Sequence, residues 1–597
     1  MERGVDDMSY AADSQDAGRR PVMTCTLVLD KCANTFGSTP CNASAATGGE
    51  CFNTFETCQD RDNYDGSDTL EIVLTDNKSD IVEAEVATPG KVYIPCIHSI
   101  NVAPEKITPG KGIGHRGRVT LTCFDFAHHD INIDPYVSTR TYNPYTNGTF
   151  WGKLLARNKH YLNRSLILKH GFYGGGRTAS DLRQSYYILD NIEGPDANGK
   201  VKITAKDPLL LTEALKAQCP APSTGTLSAA LAAATTSTFS LNTGDGADYP
   251  SGAHTLRIND ELISITSRSG DVFTISSRGY GGTEADDHEQ DDTVQLCYEA
   301  DGTSTYTVNS VLSDLLLNYA NVPVGYVPVA DWLAEANTWT ASYYLETIIS
   351  EPTPVADLLS EICVETNSDL WWSPTDNEIK WQTQTPNFSA LEALDGRNYV
   401  GRTFSKKVEE KDRVSQVLYY SGVRNWTADL DVPNYQNLQV RIDATGESDD
   451  AYQTASIKKI FARWLHPIAN TGEIASRYLS RFKNSPEVFT VELDLKDIDT
   501  VLPGDHVNMT ATYMQDIYGA ADTIEMQVLS ALHNVKTETV KIEAMRFRYE
   551  AQKYFTVGPD TLGDYTTESL ANTYRYGYMA DTTTEKMSNG DDPYLIT

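Results

Sequence analysis

Positive charge is what this 597-residue chain has little of: 49 lysines and arginines stand against 82 aspartates and glutamates, a net of −33. A protein that grips duplex nucleic acid needs a basic footprint to release phosphate counterions, and the chain as a whole has none. Such acidity suits a solvated surface, or one that DNA slides past without sticking. Long apolar runs are missing too. Nowhere do eighteen apolar residues follow one another, so no transmembrane helix is expected. The opening MERGVDDMSYAADSQDAGRR has no apolar h-region, which argues against a secretory signal and for a reducing compartment that disfavours disulfides. GxSxG and HExxH are absent. A carboxylate pair for glycoside cleavage has no distinguishing mark among so many acids. Catalysis has no positive support, and no enzyme is expected.

What is present is enough to fold. The chain is 40% hydrophobic and 10% aromatic, and its length calls for three or four domains. The dominant pattern is period two broken by Gly, Pro, Asn and Asp, as in KVYIPCIHSINV, RVTLTCFDF, VKITAKD and PEVFTVELDLKDI. This predicts a mainly β, multidomain chain with a few helices (α+β). Helical stripes occur over 310–320 (Val311, Leu312, Leu315, Leu316, Tyr319) and 472–483 (Ile474, Tyr478, Leu479, Phe482). A third follows Thr353-Pro354, read as an N-cap and first-turn proline, with Leu358, Leu359, Ile362 and Cys363 as its buried face. All three read as core-packing helices.

A compositional break near 221, APSTGTLSAALAAATTSTFS, introduces a strand-rich segment to about 298 that could close a small barrel of its own. The divisions predicted are a flexible stretch 1–20, a cysteine-rich loop 21–70, a β domain 71–220 and an inserted β-module 221–300. A second domain of helices and β-barrel, 301–555, and an acidic tail, 556–597, complete the chain.

Two motifs read as decoys. Gly112-Ile113-Gly114-His115-Arg116-Gly117 fits GxGxxG, but a proline-bearing loop precedes it and a strand follows, so no helix N-terminus is offered to a pyrophosphate. DFAHHDINIDP gathers Asp125, His128, His129, Asp130 and Asp134. Adjacent histidines on a strand point to opposite faces, so these are read as solvated loop residues rather than a metal site.

The cysteines are uneven: five of ten lie between 25 and 58. Cys32, Cys41, Cys51 and Cys58 are separated by eight, nine and six residues, without the tight pair usual for structural zinc. Thiolates on a long loop can surround a larger object such as an iron–sulfur cubane. Spacing alone leaves cluster, zinc, disulfides and free thiols all open.

CFNTFETCQDRDNY resembles the cysteine segment of the tail hub (tail-tip, baseplate hub) proteins of long-tailed bacteriophages and phage-like gene transfer agents. Cys32-x8-Cys41 and Cys51-x6-Cys58 reproduce both halves of that family's cluster loop, with a shorter gap between them. DINIDPYVSTRTYNPYTNGTFWGKLLARN is similar to the hub segment after the cysteines. GAHTLRINDELISIT with SSRGYGGTEADDHEQDDTV is similar to a small β-module of tail proteins, and EIASRYLSRFKNSPEVFTVELDLKDIDTVLPGDHVNM resembles a late helix-then-strands unit. The resemblance spans roughly residues 24 to 550.

It implies a [4Fe–4S] cluster held by Cys32, Cys41, Cys51 and Cys58, with Cys25 as substitute ligand and zinc as the alternative metal. It also implies tail-tube-like β-barrel domains in a homotrimer that caps the tube's distal end, adapts its six-fold symmetry to a three-fold tip and gates the channel. The implied partners are the distal tail protein, the tail tube end, the tape measure protein and a central fibre or spike, with DNA passing unbound. Such a protein is made in the host bacterial cytoplasm and resides in the virion at the end of the tail. A tail-associated cell-wall hydrolase would need a cleft with paired carboxylates. A receptor-binding fibre would show repeats and a glycine-rich shaft, which this chain lacks.

Overall fold

A computed structural model describes residues 20–43, 51–76, 182–385, 391–495 and 501–548 apart from 535. It also describes 91–173 apart from 141, 142, 144, 145 and 147, and the pairs 556–557 and 576–577. The acidic tail and the opening stretch therefore lie almost wholly outside the described residues. Strands make up 41% and helices 19%, so the mainly β expectation holds.

The first unit is a sheet of β1 (Arg20–Lys31), β2 (Asp68–Thr75), β3 (Val92–Pro95), β4 (Ile97–Ala103), β5 (Arg118–Phe124), β6 (Ser165–Tyr173), β7 (Arg183–Glu193) and β8 (Lys200–Lys206). Their order is β3-β2-β1-β6-β7-β8-β5-β4. The two edge strands are halves of one extended stretch, KVYIPCIHSINV, interrupted only at Cys96. Its first half pairs with β2 and its second with β5, so the sheet closes into a barrel and leaves no free edge there. Alternation sends Cys25, Leu27 and Leu29 of β1, Val119, Leu121 and Cys123 of β5, and Val201, Ile203 and Ala205 of β8 into a common core. A helix unforeseen in the sequence, α1 (Phe150–Arg157), adds Phe150, Trp151 and Leu154 to that core. Asp125 marks its start, accepting from the Trp151 N–H at 2.8 Å.

A second barrel-like sheet runs through Glu392–Leu394, His506–Gln515, Ala521–Asn534, Thr539–Arg546, Glu487–Asp494 and Ser405–Val408 in that spatial order. Residues 392–408 supply both edges, which again draws the sheet round a core of Phe489, Val491, Met509, Met526 and Ile542. Pro503-Gly504-Asp505 turns the chain into the strand at His506, with Gly504 at φ 94°.

Between the barrels lies a helical layer. Its helices are Val308–Asp314, continued as a π turn to Tyr319, Val329–Trp339, Val355–Thr366 and Ile468–Phe482. The three stripes read from the sequence are buried as expected, apart from Tyr319 and Leu479 at the margin. One boundary differs. Thr353 and Pro354 form a short ladder with Gln218–Cys219, and the helix begins at Val355, whose N–H donates to the Ala217 carbonyl. Val329–Trp339 escaped the sequence reading because only Trp332 and Ala336 are buried along it.

Strands Thr238–Ser240, Val272–Ser277, Glu261–Ser269, His254–Ile258 and Val294–Leu296 form a five-stranded sheet with its own core of Leu227, Phe239, Leu256, Ile263 and Phe273. Residues 226–228 bond to both its edges, near 240–242 and 291–293. Entry and exit lie side by side: the Ser223 N–H donates to Gln295 Oε1 at 3.0 Å, and Gln295 Nε2 donates to the Ala221 carbonyl at 2.9 Å. The module also leans on the body through Leu262, Cys297 and Ile348, with Tyr280 and Trp426. Gly282 passes so close to the Arg424 carbonyl that no Cβ would fit.

Candidate metal centre at the barrel mouth

The connection between β1 and β2 leaves the barrel at Lys31 and carries all four cysteines of the x8 and x6 pairs. Little in it is apolar, so it cannot collapse on a core of its own, and hydrogen bonds shape it instead. Asn53 is its keystone. Held at φ 54° and buried, it accepts at its carbonyl from the Cys32 N–H (2.8 Å), and its amide donates to the Cys32 carbonyl (3.1 Å). Asp60 ties in the other arm by accepting from the Asn42 N–H at 2.7 Å.

The result is that Cys32, Cys41, Cys51 and Cys58 line one small cavity together with Asn34, Asn53 and Tyr64. None of the four is in a disulfide. Burial pushes the Cys51 and Cys58 thiols up. Each is partly drawn back by a backbone N–H two residues on, from Asn53 (3.3 Å to Cys51 Sγ) and from Asp60. N–H donors of this kind orient and stabilise sulfur that carries negative charge or binds metal. The Tyr64 hydroxyl is buried in the same lining with no hydrogen-bond partner among the described residues. Also among the described residues, no three His, Cys, Asp or Glu side chains are drawn together as ligands of a single ion. The four cysteines share the lining of one cavity. Four soft thiols with oriented N–H donors and an orphaned hydroxyl fit a thiolate-ligated iron–sulfur group, which would supply four covalent cross-links to a loop without a core.

Cys25, the substitute ligand expected from the sequence, does not share this cavity. It points into the barrel with Cys96 and Cys123, fully buried, because β1 alternates and Cys25 falls on the inward face with Leu27 and Leu29. Burial, then the nearby Cys123, raise its thiol well above the ordinary value.

DFAHHDINIDP needs a correction as well. Asp130 and Asp134 are 2% and 4% exposed, so they are buried anchors and not solvated loop residues. Asp130 pairs with Lys153 and Arg157 of α1, both at 2.8 Å, and Asp134 with Arg140 at 2.6 Å. Burial works against the Asp130 charge, yet His128, Lys153 and Arg157 together hold its carboxyl down to about 2. The segment is not a regular strand, so the His128 and His129 rings lie side by side, 4.8 Å apart. These carboxylates aim two guanidinium groups at the cysteine loop. Arg157 and Arg140 lie 3.8 and 4.1 Å from the Phe52 ring centre, and Arg140 also donates to the Cys51 carbonyl. Phe36 is tied down from the same side, its N–H donating to the Tyr136 hydroxyl at 2.9 Å. Nothing in the cysteine spacing pointed to this clamp. The Lys153–Arg157 pair, one helical turn apart, was the available signal.

The glycine motif behaves as a connection. A Cβ on Gly112 would meet Ser360 of the helical layer, and one on Gly117 would meet the Glu105 carboxyl. Other perturbed acids are also structural. Burial raises Glu105 to about 8 and Asp207 to about 6. Asp207 accepts from Gly117 (2.7 Å) and Leu209 (3.0 Å) to cap a short turn. Both side chains are buried.

No family model matches the chain, and no curated protein matches it. Among solved structures it is similar to a tail protein from Neisseria meningitidis MC58, with 10% identity, TM-score 0.35 and coverage of 75% of this chain and 95% of that one. Prophage MuSo2 43 kDa tail protein from Shewanella oneidensis gives 10% identity and TM-score 0.33, covering 76% and 97%. Prophage tail protein gp18 from Listeria monocytogenes EGD-e gives 8% identity and TM-score 0.31, covering 75% and 88%.

Proposed function

We propose that this chain is a structural virion protein, the trimeric hub that closes the distal end of a long-tailed phage or gene-transfer-agent tail tube. The observation that carries the reading is the meeting of Cys32, Cys41, Cys51 and Cys58 at the mouth of a closed β-barrel, in the x8 and x6 spacing of the hub cluster loop. In this account those four residues hold a [4Fe–4S] cluster whose task is to staple the loop. Asn53 and Asp60 direct N–H groups at two of the sulfurs, Tyr64 offers a hydroxyl, and Arg140 and Arg157 fasten Phe52 to the barrel. The barrels supply surfaces that stack under the tube and around the channel, and the acidic balance keeps passing DNA from adhering. The partners in this role are the distal tail protein, the tube end, the tape measure protein and a central fibre or spike. The chain carries out no chemistry of its own there.

Cryo-EM of intact particles tests the assignment. Density for three copies at the end of the tube is expected, and six copies, one copy, or a position along the shaft would overturn it.

A further inference from the structure

Outside the cysteine site, one cavity stands apart in charge. It measures about 380 Å³ and opens between the loop 106–111, the segment 409–414 and the strand that begins at Ile457. In a chain of net −33, its wall gathers Lys106, Lys111, Lys411, Arg413 and Lys458, while its floor is Tyr478, Phe482 and Met545. Internal pairing leaves an excess of cations. Lys106 pairs with Glu543 and Lys111 with Asp412, and the third lining acid, Glu409, is held by Lys407 outside the cavity at 2.5 Å. Arg413 is 4% exposed; one nitrogen donates to the Thr454 carbonyl at 2.6 Å, while Nη1 is buried without a partner. Lys458 donates to the Gly110 carbonyl at 3.1 Å and lies 5.8 Å from the Tyr478 ring centre, with no carboxylate paired to it among the described residues; burial and then the Lys111 charge hold its ammonium below the usual value. A buried guanidinium nitrogen without an acceptor, beside a lysine facing another lysine, marks a place for carboxylates.

The chain itself carries a matching segment. Met545 lines the cavity, and the described residues end three positions later at Arg548 apart from the pairs 556–557 and 576–577, which form a short parallel ladder. The remaining chain is acidic and rich in tyrosine: 558–597 holds seven acids against two basic residues, and DYTTESLANTYRYGY spans 564–578. The fifteen residues between Arg548 and Asp564 reach about 50 Å when extended, enough to return to the cavity rim.

We propose that this cavity is the docking site of the chain's own acidic segment after Arg548. Asp560, Asp564 and Glu568 supply carboxylates for Lys458, Arg413 and Lys411, and the intervening tyrosine and leucine side chains cover the aromatic floor. The inference stands apart from the tail-hub reading and would survive its failure.

Hydrogen exchange on the full-length protein tests it. The wild type is compared with a full-length variant carrying Asp560→Asn, Asp564→Asn and Glu568→Gln, and with Lys458→Glu. Both variants should exchange at least tenfold faster at 106–111 and 456–458, and Lys458→Arg should restore protection. A synthetic peptide of residues 558–582 should bind the neutralised variant and be weakened at least tenfold by added Lys458→Glu or by high salt. Unchanged exchange in the tail variant would overturn the proposal. So would binding of inorganic phosphate without binding of the peptide, which would make the cavity an anion site only. Protection that appears only at concentrations where the chain self-associates would assign the occupant to a second copy and overturn docking in the same chain.

Discussion

At the scale of single residues, two groups of thiols that look alike in sequence serve different ends. The x8 and x6 spacing made Cys32, Cys41, Cys51 and Cys58 legible, and they do line one cavity. Cys25, the substitute ligand, lies outside that cavity, because its distance along the chain says nothing about which face of β1 it occupies. Cys25→Ser should lower barrel stability by about 1–3 kcal/mol, the cost of burying a hydroxyl without a partner, and leave iron content unchanged. Chemical denaturation alongside iron assay separates the two effects. Glu105 makes a pH prediction. Its folded value of about 8 lies above the ordinary 4.5, so the folded chain keeps a proton that the unfolded chain releases. Its contribution is present below about 4.5 and lost as pH rises towards 8. Glu105→Gln should flatten that part of the stability–pH curve, gaining on the wild type at pH 8 relative to pH 5. Equal slopes for both proteins would show that Glu105 is not the group responsible.

At the scale of elements, alternation made the strands legible, but closure was not. Only the pairing of 92–95 with one edge and 97–103 with the other shows that KVYIPCIHSINV seals the first barrel. Helix α1 was missed because eight residues give too few turns for a stripe. It nonetheless positions Arg157 on Phe52. Arg157→Ala should leave Asp130 with less counter-charge and speed protease cleavage within 51–58, readable by mass spectrometry of early fragments. Unchanged cleavage would mean that Arg140 holds Phe52 alone. In the inserted module Glu261 is 1% exposed and bonded to Arg278 (2.6 and 2.7 Å) and His288 (2.9 Å). Burial opposes its charge, but these partners outweigh it and hold the carboxyl at about 2. The module should therefore keep this contribution above about 4.5 and lose it as pH falls towards 2. Glu261→Gln, which strands Arg278, should cost about 3–5 kcal/mol at neutral pH. Excising 222–296 across its adjacent entry and exit, which keeps Tyr298–Asp301 paired with Glu346–Ile349, should leave a soluble body, provided the uncovered Trp426 and Ile348 are made polar. Aggregation despite that change would show the module to be part of the core.

At the scale of the whole molecule, sequence pattern foretold a mainly β chain, and that much is visible in the sheets. It could not foretell how the units lock together, because the contacts join residues far apart in sequence. Ile107 donates to the Leu529 carbonyl, Gly114 to that of Leu370, and Phe172 of the first barrel joins the core of the second. Assembly into a tail hub and a cluster that staples the cysteine loop are separate claims and could fail independently. The cluster is the more exposed to a direct test: the iron and acid-labile sulfide content of the full-length protein, purified without oxygen, beside Cys41→Ser and Cys219→Ser. About four irons and four sulfides per chain are predicted for the wild type and for Cys219→Ser. Cys41→Ser should lose the brown chromophore and expose 51–58 to protease. A colourless wild type without iron, its loop still resistant to protease, would contradict the account.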